Sequence, residues 1–126
     1  MPIRIAKRAI VVLAAMTALL IFATGQAQAA NTFLILNDID GNQLGTMTHI
    51  DVETDQFKVC DTNSDGASVT GRLYNNTFVI LKVTDGGDAG CNTETFNVKV
   101  GEFYTMQLCW NGTDFRPPCK SEGFIE

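Results

Sequence analysis

Apolar and polar residues alternate along most of the chain after residue 30, in short runs separated by Gly, Asn and Asp. The runs are rich in Val, Ile, Thr and Phe, and none shows the three-and-four spacing of an amphipathic helix. The pattern predicts seven strands, at Thr32–Asn37, Leu44–Val52, Gln56–Asp61, Ser68–Tyr74, Thr77–Thr84, Thr95–Val100 and Phe103–Trp110. Strands at this spacing predict an all-β domain, a small immunoglobulin-like two-layer sandwich of about seven strands, with a small β-barrel as the alternative.

The alternation also predicts which side chains are buried, because neighbouring residues of a strand point to opposite faces. In the second strand, one face carries Leu44, Thr46, Thr48, Ile50 and Val52, and the opposite, outward face carries Met47, His49, Asp51 and Glu53. In the last strand Tyr104, Met106, Leu108 and Trp110 face together, which places Cys109 on the more polar face. The fifth strand is apolar on both faces, so we expect it to be central.

The first 29 residues have the order of an export signal. Arg4, Lys7 and Arg8 precede an apolar run over 9–23, and small residues at Ala27 and Ala29 follow. The run is shorter than the roughly 20 residues that a membrane-spanning helix needs. We therefore expect a signal peptide over 1–29, a single disulfide-stapled β domain over 30–126, secretion to the extracellular space, and no membrane association after cleavage.

The charge balance is acidic, with 14 Asp and Glu against 9 Lys and Arg. Removal of residues 1–29 would take away three basic residues and shift the net charge from −5 to −8. Such a chain repels phosphate backbones and anionic lipids, so nucleic acid is not an expected partner. An extracellular protein or carbohydrate is the expected class of partner.

Four cysteines, Cys60, Cys91, Cys109 and Cys119, predict two disulfides. No Cys-x-x-Cys pair occurs and His49 is the single histidine, which disfavours a zinc or thioredoxin-like site. Three connectivities are possible. The tight turns Asp65-Gly66 and Asn75-Asn76 predict that strands three to five form an antiparallel meander. Such a meander would let the flexible run 85–90 return Cys91 to Cys60, which favours the pairs Cys60–Cys91 and Cys109–Cys119.

Oxygen-bearing side chains at alternate positions in Asp61-Thr62-Asn63-Ser64-Asp65-Gly66 resemble the first half of an EF-hand loop. The EF-hand interpretation fails, because its twelfth position is Arg72 and strands flank the loop. A calcium site that combines these side chains with the next acidic loop remains possible; its ligands would be Asp61, Asn63, Asp65, Asp85 and Asp88. The alternative is that these residues only cap turn backbone, and the same ambiguity applies to the run 37–42.

The loop closed by Cys109 and Cys119 displays Trp110, Phe115 and Arg116 on a constrained segment, which is typical of a binding or inhibitory loop. The alternative is that Trp110 and Phe115 pack on the end of the sandwich. No nucleophile-elbow serine occurs and His49 is isolated in sequence, so we do not expect an enzyme or a resident cofactor other than calcium.

The motifs Val59-Cys60-Asp61, Asp65-Gly66, Gly90-Cys91 and Leu108-Cys109 with Cys119 are similar to a loose group of small secreted actinobacterial β proteins with four cysteines. The resemblance implies the fold and export but no reaction, and the tail after Cys119 departs from it. The sequence thus predicts a secreted, non-enzymatic binding or surface-interaction protein of unknown ligand. The alternatives are a secreted inhibitor of an extracellular hydrolase that uses the 109–119 loop, and a calcium-stabilised extracellular structural protein.

Overall fold

The strands of the chain form two antiparallel sheets that pack face to face as a sandwich. The structure is a computed structural model that describes residues 31–86, 90–113 and 117–126. Its strands are β1 (Phe33–Asn37), β2 (Gln43–Ile50), β3 (Gln56–Asp61), β4 (Val69–Asn75), β5 (Phe78–Asp85), β6 (Asn92–Thr95), β7 (Phe103–Trp110) and β8 (Cys119–Ile125). One sheet has the order β1-β2-β3-β6 and the other β5-β4-β7-β8. Both sheets are open, so the predicted sandwich is confirmed and the barrel alternative does not hold. Within the described ranges, no helix is long and apolar enough to cross a bilayer.

The strand order is the one that an immunoglobulin-like sandwich requires. Strands β2, β3 and β6 correspond to A, B and E, strands β5, β4, β7 and β8 correspond to C′, C, F and G, and β1 is an addition at the edge. A tyrosine corner accompanies this order, because the Tyr104 hydroxyl at the start of β7 accepts a hydrogen bond of 2.9 Å from the backbone N–H of Lys99.

The predicted meander is wrong, although the turn at Asn75-Asn76 does join β4 to β5 as an antiparallel hairpin. Strand β3 pairs with β2 and β6, whereas β4 pairs with β5 and β7 in the other sheet. The chain therefore crosses between the sheets after Asp61. The six residues between the predicted strands were long enough for this crossing, and no local signal distinguishes it from a hairpin.

Strand β5 is an edge strand and not the central one that its composition predicted. Its apolar character is not explained by burial on two faces, because Phe78 and Val79 are exposed. The predicted strand 95–100 is also wrong: β6 ends at Thr95, and the backbone N–H of Val98 donates to the Asp55 carboxylate instead of to a sheet neighbour. Strand β8 was missed, since its segment 119–125 has little apolar alternation.

The core lies between the sheets and is formed by the inward side chains of both; its fully buried members include Leu34, Met47, Phe57, Val59, Val69, Leu73, Tyr104, Met106 and Leu108. The predicted inward face of β7 is confirmed. Leu44 is buried as predicted, but the faces predicted for the rest of β2 are reversed, because Met47 and His49 are buried whereas Thr46, Thr48 and Ile50 are only half-buried. The physical reason is that Met47 fills volume in the core and that the His49 ring pairs with the buried carboxylate of Asp55.

The sheets approach closely at Gly71 in β4. A Cβ atom at this position would lie 2.6 Å from Val59 Cγ2 and 2.8 Å from Met47 Sδ. Glycine is thus required here by packing and not by an unusual backbone conformation.

Candidate functional site

Four loops meet at one end of the sandwich, which we call the loop end. They are the β1–β2 turn (38–42), the β3–β4 loop (62–68), the β5–β6 loop (86–91) and the β7–β8 loop (111–118). The β3–β4 and β7–β8 loops correspond to the B–C and F–G loops, which carry recognition in immunoglobulin variable domains.

Both disulfides lie at the loop end. Cys60 pairs with Cys91 and Cys109 pairs with Cys119, as the sequence favoured, with Cα–Cα distances of 4.4 and 4.1 Å. The predicted partner of Cys60 is correct, but the meander is not what brings the two cysteines together. Strand β6 lies beside β3, and this places Cys91 opposite Cys60. Two disulfides indicate an oxidising, extracellular type of environment.

The central contact of the loop end joins two residues that the sequence assigned to different sites. The indole Nε1–H of Trp110 donates a hydrogen bond of 2.8 Å to Asp65 Oδ2. The other oxygen of Asp65, Oδ1, accepts from the backbone N–H of Ala67 at 2.9 Å, which fixes the carboxylate within its own loop. Forty-five residues separate Trp110 from Asp65, so no sequence pattern could have revealed the pair.

Three further hydrogen bonds hold the β7–β8 loop against the end of the β3–β4 loop and the start of β4. The backbone N–H of Asn111 donates to the carbonyl oxygen of Ser68 at 2.9 Å. The Asn111 side-chain amide donates to Ser68 Oγ and Thr70 Oγ1, each at 2.8 Å. Gly112 lies so close to the six-membered ring of Trp110 that an added Cβ would overlap it. The indole is thus held in one orientation from both loops.

Two shallow depressions adjoin at Trp110 and Asp65. The first depression has a volume of about 240 Å³ and is lined by Asp38, Leu44, Asn63, Asp65, Trp110 and Pro118. The second depression has a volume of about 280 Å³ and is lined by Asp65, Gly66, Ala67, Trp110, Asn111, Gly112 and Thr113. Each combines the aromatic surface of Trp110 with carboxylate, amide or hydroxyl groups.

Asp38 keeps a fixed negative charge at the first depression. Its Oδ1 accepts from the backbone N–H groups of Asn42 at 2.8 Å and Asp40 at 3.0 Å, and its Oδ2 accepts from the Asn42 side chain at 3.0 Å. The side-chain and backbone hydrogen bonds from Asn42 lower the pKa of Asp38 below its ordinary value of 3.8, because they stabilise the ionised form. The run 37–42 thus forms a capped turn, as one of its two interpretations expected.

The structure brings together only part of the predicted calcium ligands. Asp61 and Asp85 are adjacent, since the backbone N–H of Asp61 donates to Asp85 Oδ2 at 2.7 Å. Asp61 Oδ1 caps the backbone N–H of Asn63, and Asp61 Oδ2 is buried with no hydrogen-bond partner among the described residues. Asp65 instead turns to Trp110. The predicted ligand Asp88 and the predicted loop residues Phe115 and Arg116 lie outside the described residues.

The opposite end of the sandwich, which we call the far end, contains a buried polar cluster that the sequence did not predict. His49 Nε2 lies 2.9 Å from Asp55 Oδ1, and both residues are buried. The imidazole stacks on Phe57 and Phe124, with ring centroids 4.9 and 4.7 Å apart. His49 is therefore neither isolated nor outward-facing, and the sequence signal was hidden because its partner lies beyond the following turn.

Asp55 also fixes the segment that follows β6. Its Oδ2 accepts from the Val98 N–H at 3.1 Å, its carbonyl accepts from the Phe96 N–H at 3.1 Å, and its own N–H donates to Asn97 Oδ1 at 3.3 Å. One aspartate thus joins the β2–β3 turn to the chain between β6 and β7. The backbone and carboxylate groups of Asp55 are therefore paired, as is usual for a buried polar residue with a structural role.

Glu126 completes a group of three potential metal ligands with His49 and Asp55, whose ligand atoms lie within 4.8 Å of one another. The chemistry of the donors does not favour a metal. Both Asp55 oxygens already accept hydrogen bonds, so the Nε2 facing Asp55 carries the imidazole proton. A metal at Nε2 would move that proton to Nδ1, which is buried without a partner among the described residues.

No family model matches the chain, and neither a curated protein nor a solved structure matches it. The architecture and the geometry of the two ends therefore carry the functional argument.

Proposed function

We propose that the protein is an exported, non-enzymatic binding domain that recognises an extracellular carbohydrate at the Trp110 surface of its loop end. The observation that carries this proposal is the fixed indole of Trp110, which lines two adjoining depressions together with carboxylate, amide and hydroxyl groups. The C–H-bearing face of a pyranose ring packs on an aromatic ring, and its hydroxyl groups pair with such polar side chains. The site therefore offers both halves of sugar recognition.

Preorganisation supports the same function. Asp65, Gly112 and the clamp of Asn111 hold the indole before any ligand arrives. A binding residue that is already ordered loses little side-chain entropy on association. The acidic charge and the two disulfides agree with a domain that acts outside the cell, away from nucleic acid and anionic lipid.

The proposal can be tested directly because Trp110 is the only tryptophan in the chain. Its intrinsic fluorescence is titrated with soluble β-linked oligomers of glucose, xylose and N-acetylglucosamine, and retention on the matching insoluble polysaccharides is measured in parallel. We expect at least one of these ligands to shift the emission. Trp110→Ala should bind that polysaccharide with an affinity at least about tenfold lower than that of the native protein.

A second variant and a matched control separate the site from the fold. Gly112→Ala keeps every polar group of the site but displaces the indole, so its affinity should fall with that of Trp110→Ala. Phe78→Ala removes an exposed aromatic ring at the far end and should bind as the native protein does. The proposal is overturned if none of the oligomers changes the fluorescence, or if Trp110→Ala is retained as well as the native chain.

Hydrolase inhibition stays a prediction from the sequence, with Arg116 as its contact residue. It would show as protease or glycosidase inhibition that Arg116→Ala removes while Trp110→Ala does not.

Calcium stabilisation is a second candidate, favoured by the buried Asp61 Oδ2, which has no hydrogen-bond partner among the described residues and lies beside the Asp85 carboxylate. Calcium at 100 times its dissociation constant would stabilise the fold by about 2.7 kcal/mol. On a domain near 100 residues this raises the melting temperature by more than about ten degrees. The shift should be absent with magnesium and in Asp61→Asn; an unchanged melting temperature in millimolar calcium would leave Asp61 as a turn residue.

A further inference from the structure

The two depressions at the loop end differ in their polar groups but share one edge. The first has carboxylates at Asp38 and Asp65, and the second has the Asn111 amide and the Thr113 hydroxyl beside the same Asp65. Each is smaller than the roughly 300 Å³ at which sites for drug-sized molecules begin. A single sugar unit fits such a volume better than a larger ligand does, and two adjoining volumes suit two consecutive units of one chain.

The charge of the lining is one-sided. Asp38 and Asp65 are the ionisable side chains among the described residues that line the depressions, and both are acidic. Hydrogen bonds from Asn42 lower the pKa of Asp38, so its charge persists into mildly acidic solution. The Asp65 carboxylate lies against the indole N–H, which places negative charge at the edge of an aromatic ring.

An ammonium group satisfies both features at once. It donates hydrogen bonds to carboxylates, and it is attracted to the face of a tryptophan ring, the most favourable aromatic partner for a cation. A neutral sugar uses the ring and the polar groups but makes no charge–charge contact with the two carboxylates. The negative net charge of the whole chain adds a long-range attraction for the same kind of ligand.

We propose that the ligand of the Trp110 surface is a chain of amino sugars with free ammonium groups, with neighbouring units in the two depressions on either side of the Trp110–Asp65 contact. This inference rests on the proposed carbohydrate-binding function and names the class of sugar. The acidic groups select for the free amine, and the paired depressions select for more than one unit.

The test compares ligands that differ only in charge. Tryptophan fluorescence of the native protein is titrated with oligomers of glucosamine and of N-acetylglucosamine of the same length and linkage, at pH 5.5 and low salt. We expect the glucosamine tetramer to bind at least about tenfold more tightly than its acetylated counterpart. The advantage should shrink as added salt shortens the range of the electrostatic attraction. The glucosamine monomer should bind more weakly than the tetramer by a similar factor.

Variants test whether the preference for the charged tetramer depends on the residues that line the depressions. Asp38→Asn should weaken binding of the glucosamine tetramer but not of the acetylated tetramer, whereas Trp110→Ala should weaken both. Asp40→Asn is the matched control, because Asp40 lies in the same turn but lines neither depression.

The outcomes separate the two proposals. Equal affinity for the charged and acetylated tetramers, or equal affinity for the monomer and tetramer, overturns the amino-sugar inference and leaves carbohydrate binding in place. Both proposals are overturned if the protein binds a lysine-rich peptide in preference to every sugar. They are also overturned if none of the oligomers changes the fluorescence.

Discussion

The two ends of the sandwich are closed by different kinds of interaction. The loop end carries both disulfides, and its polar contacts are made by exposed or half-buried side chains such as Asp65 and Asn111. The far end has no cysteine and is held by the buried His49–Asp55 pair within a group of aromatic rings. The loop-end side chains remain partly exposed, and Trp110 also packs against the core, whereas the polar pair of the far end is fully buried.

Under the proposed function, this contrast assigns stability to the far end of the molecule and binding to the loop end. A substitution at the far end should unfold the protein without altering the intrinsic chemistry of the Trp110 surface. A substitution at the loop end should alter ligand affinity with a smaller effect on unfolding. Three predictions test this division.

The largest effect is expected for Asp55→Ala, which removes the partner of His49 and the acceptor of the Val98 N–H. Breaking a buried pair by removing one partner costs about 3–5 kcal/mol, because the remaining polar group stays buried and unpaired. Urea unfolding followed by circular dichroism measures the loss. Asp40→Ala, an exposed aspartate at the loop end, should stay within about 0.5 kcal/mol of the native protein. Equal losses for the two variants would contradict the division between the ends.

The next effect concerns the disulfides. The double variant Cys60→Ser/Cys91→Ser should lose about 3.5 kcal/mol, because the bond restricts the unfolded chain over a separation of 31 residues. Cys109→Ser/Cys119→Ser spans only 10 residues and should lose less, about 2.7 kcal/mol. Its sugar affinity should nevertheless fall further, since this bond closes the loop that carries Trp110. Urea midpoints compare the stabilities of the two double variants, and fluorescence titrations compare their sugar affinities. A larger loss of affinity in Cys60→Ser/Cys91→Ser would argue against the Trp110 surface as the binding site.

The smallest effect is a pH dependence at the far end. Burial raises the pKa of Glu126 above its ordinary value of 4.5, and the nearby carboxylates of Asp51 and Asp55 raise it further. The folded state therefore binds this proton more tightly than the unfolded state, so its stabilising effect is present below about pH 4.5 and is lost as the pH rises through the folded pKa.

Glu126→Gln removes the ionisable group, and with it the loss of stability between pH 4 and pH 7. The variant should equal the native protein in urea midpoint at pH 4 and exceed it slightly at pH 7. Glu122→Gln, on the exposed part of β8, is the control and should follow the native pH profile. A native-like profile for Glu126→Gln would show that its carboxyl does not sense Asp51 and Asp55.

The sequence predicted those parts of the fold that local alternation determines. The bounds of β3 and β7 and the inward face of β7 agree with the structure. The faces of β2 could not be predicted, because threonines and one isoleucine oppose a methionine and a histidine, and neither face is plainly apolar. The burial of His49 depends on Asp55 and Phe124, which lie on other elements.

The candidate site shows the same limit. Trp110 and Asp65 were each identified, the former as a loop residue for binding and the latter as a calcium ligand. Their contact depends on the crossing of the chain between sheets after Asp61, which places the β3–β4 loop beside the β7–β8 loop. Turn composition indicates where the chain reverses, but it does not indicate which sheet the chain enters next.

The disulfides join strand ends at the bases of the loops and leave the loop tips unlinked. Because surface loops tolerate sequence changes better than the strands that they connect, we expect substitutions at the loop tips to leave the strands in place. A fold built in this way is suited to diversification: duplicated copies can acquire new ligands through a few loop residues while they keep the same eight strands and the same two covalent bonds.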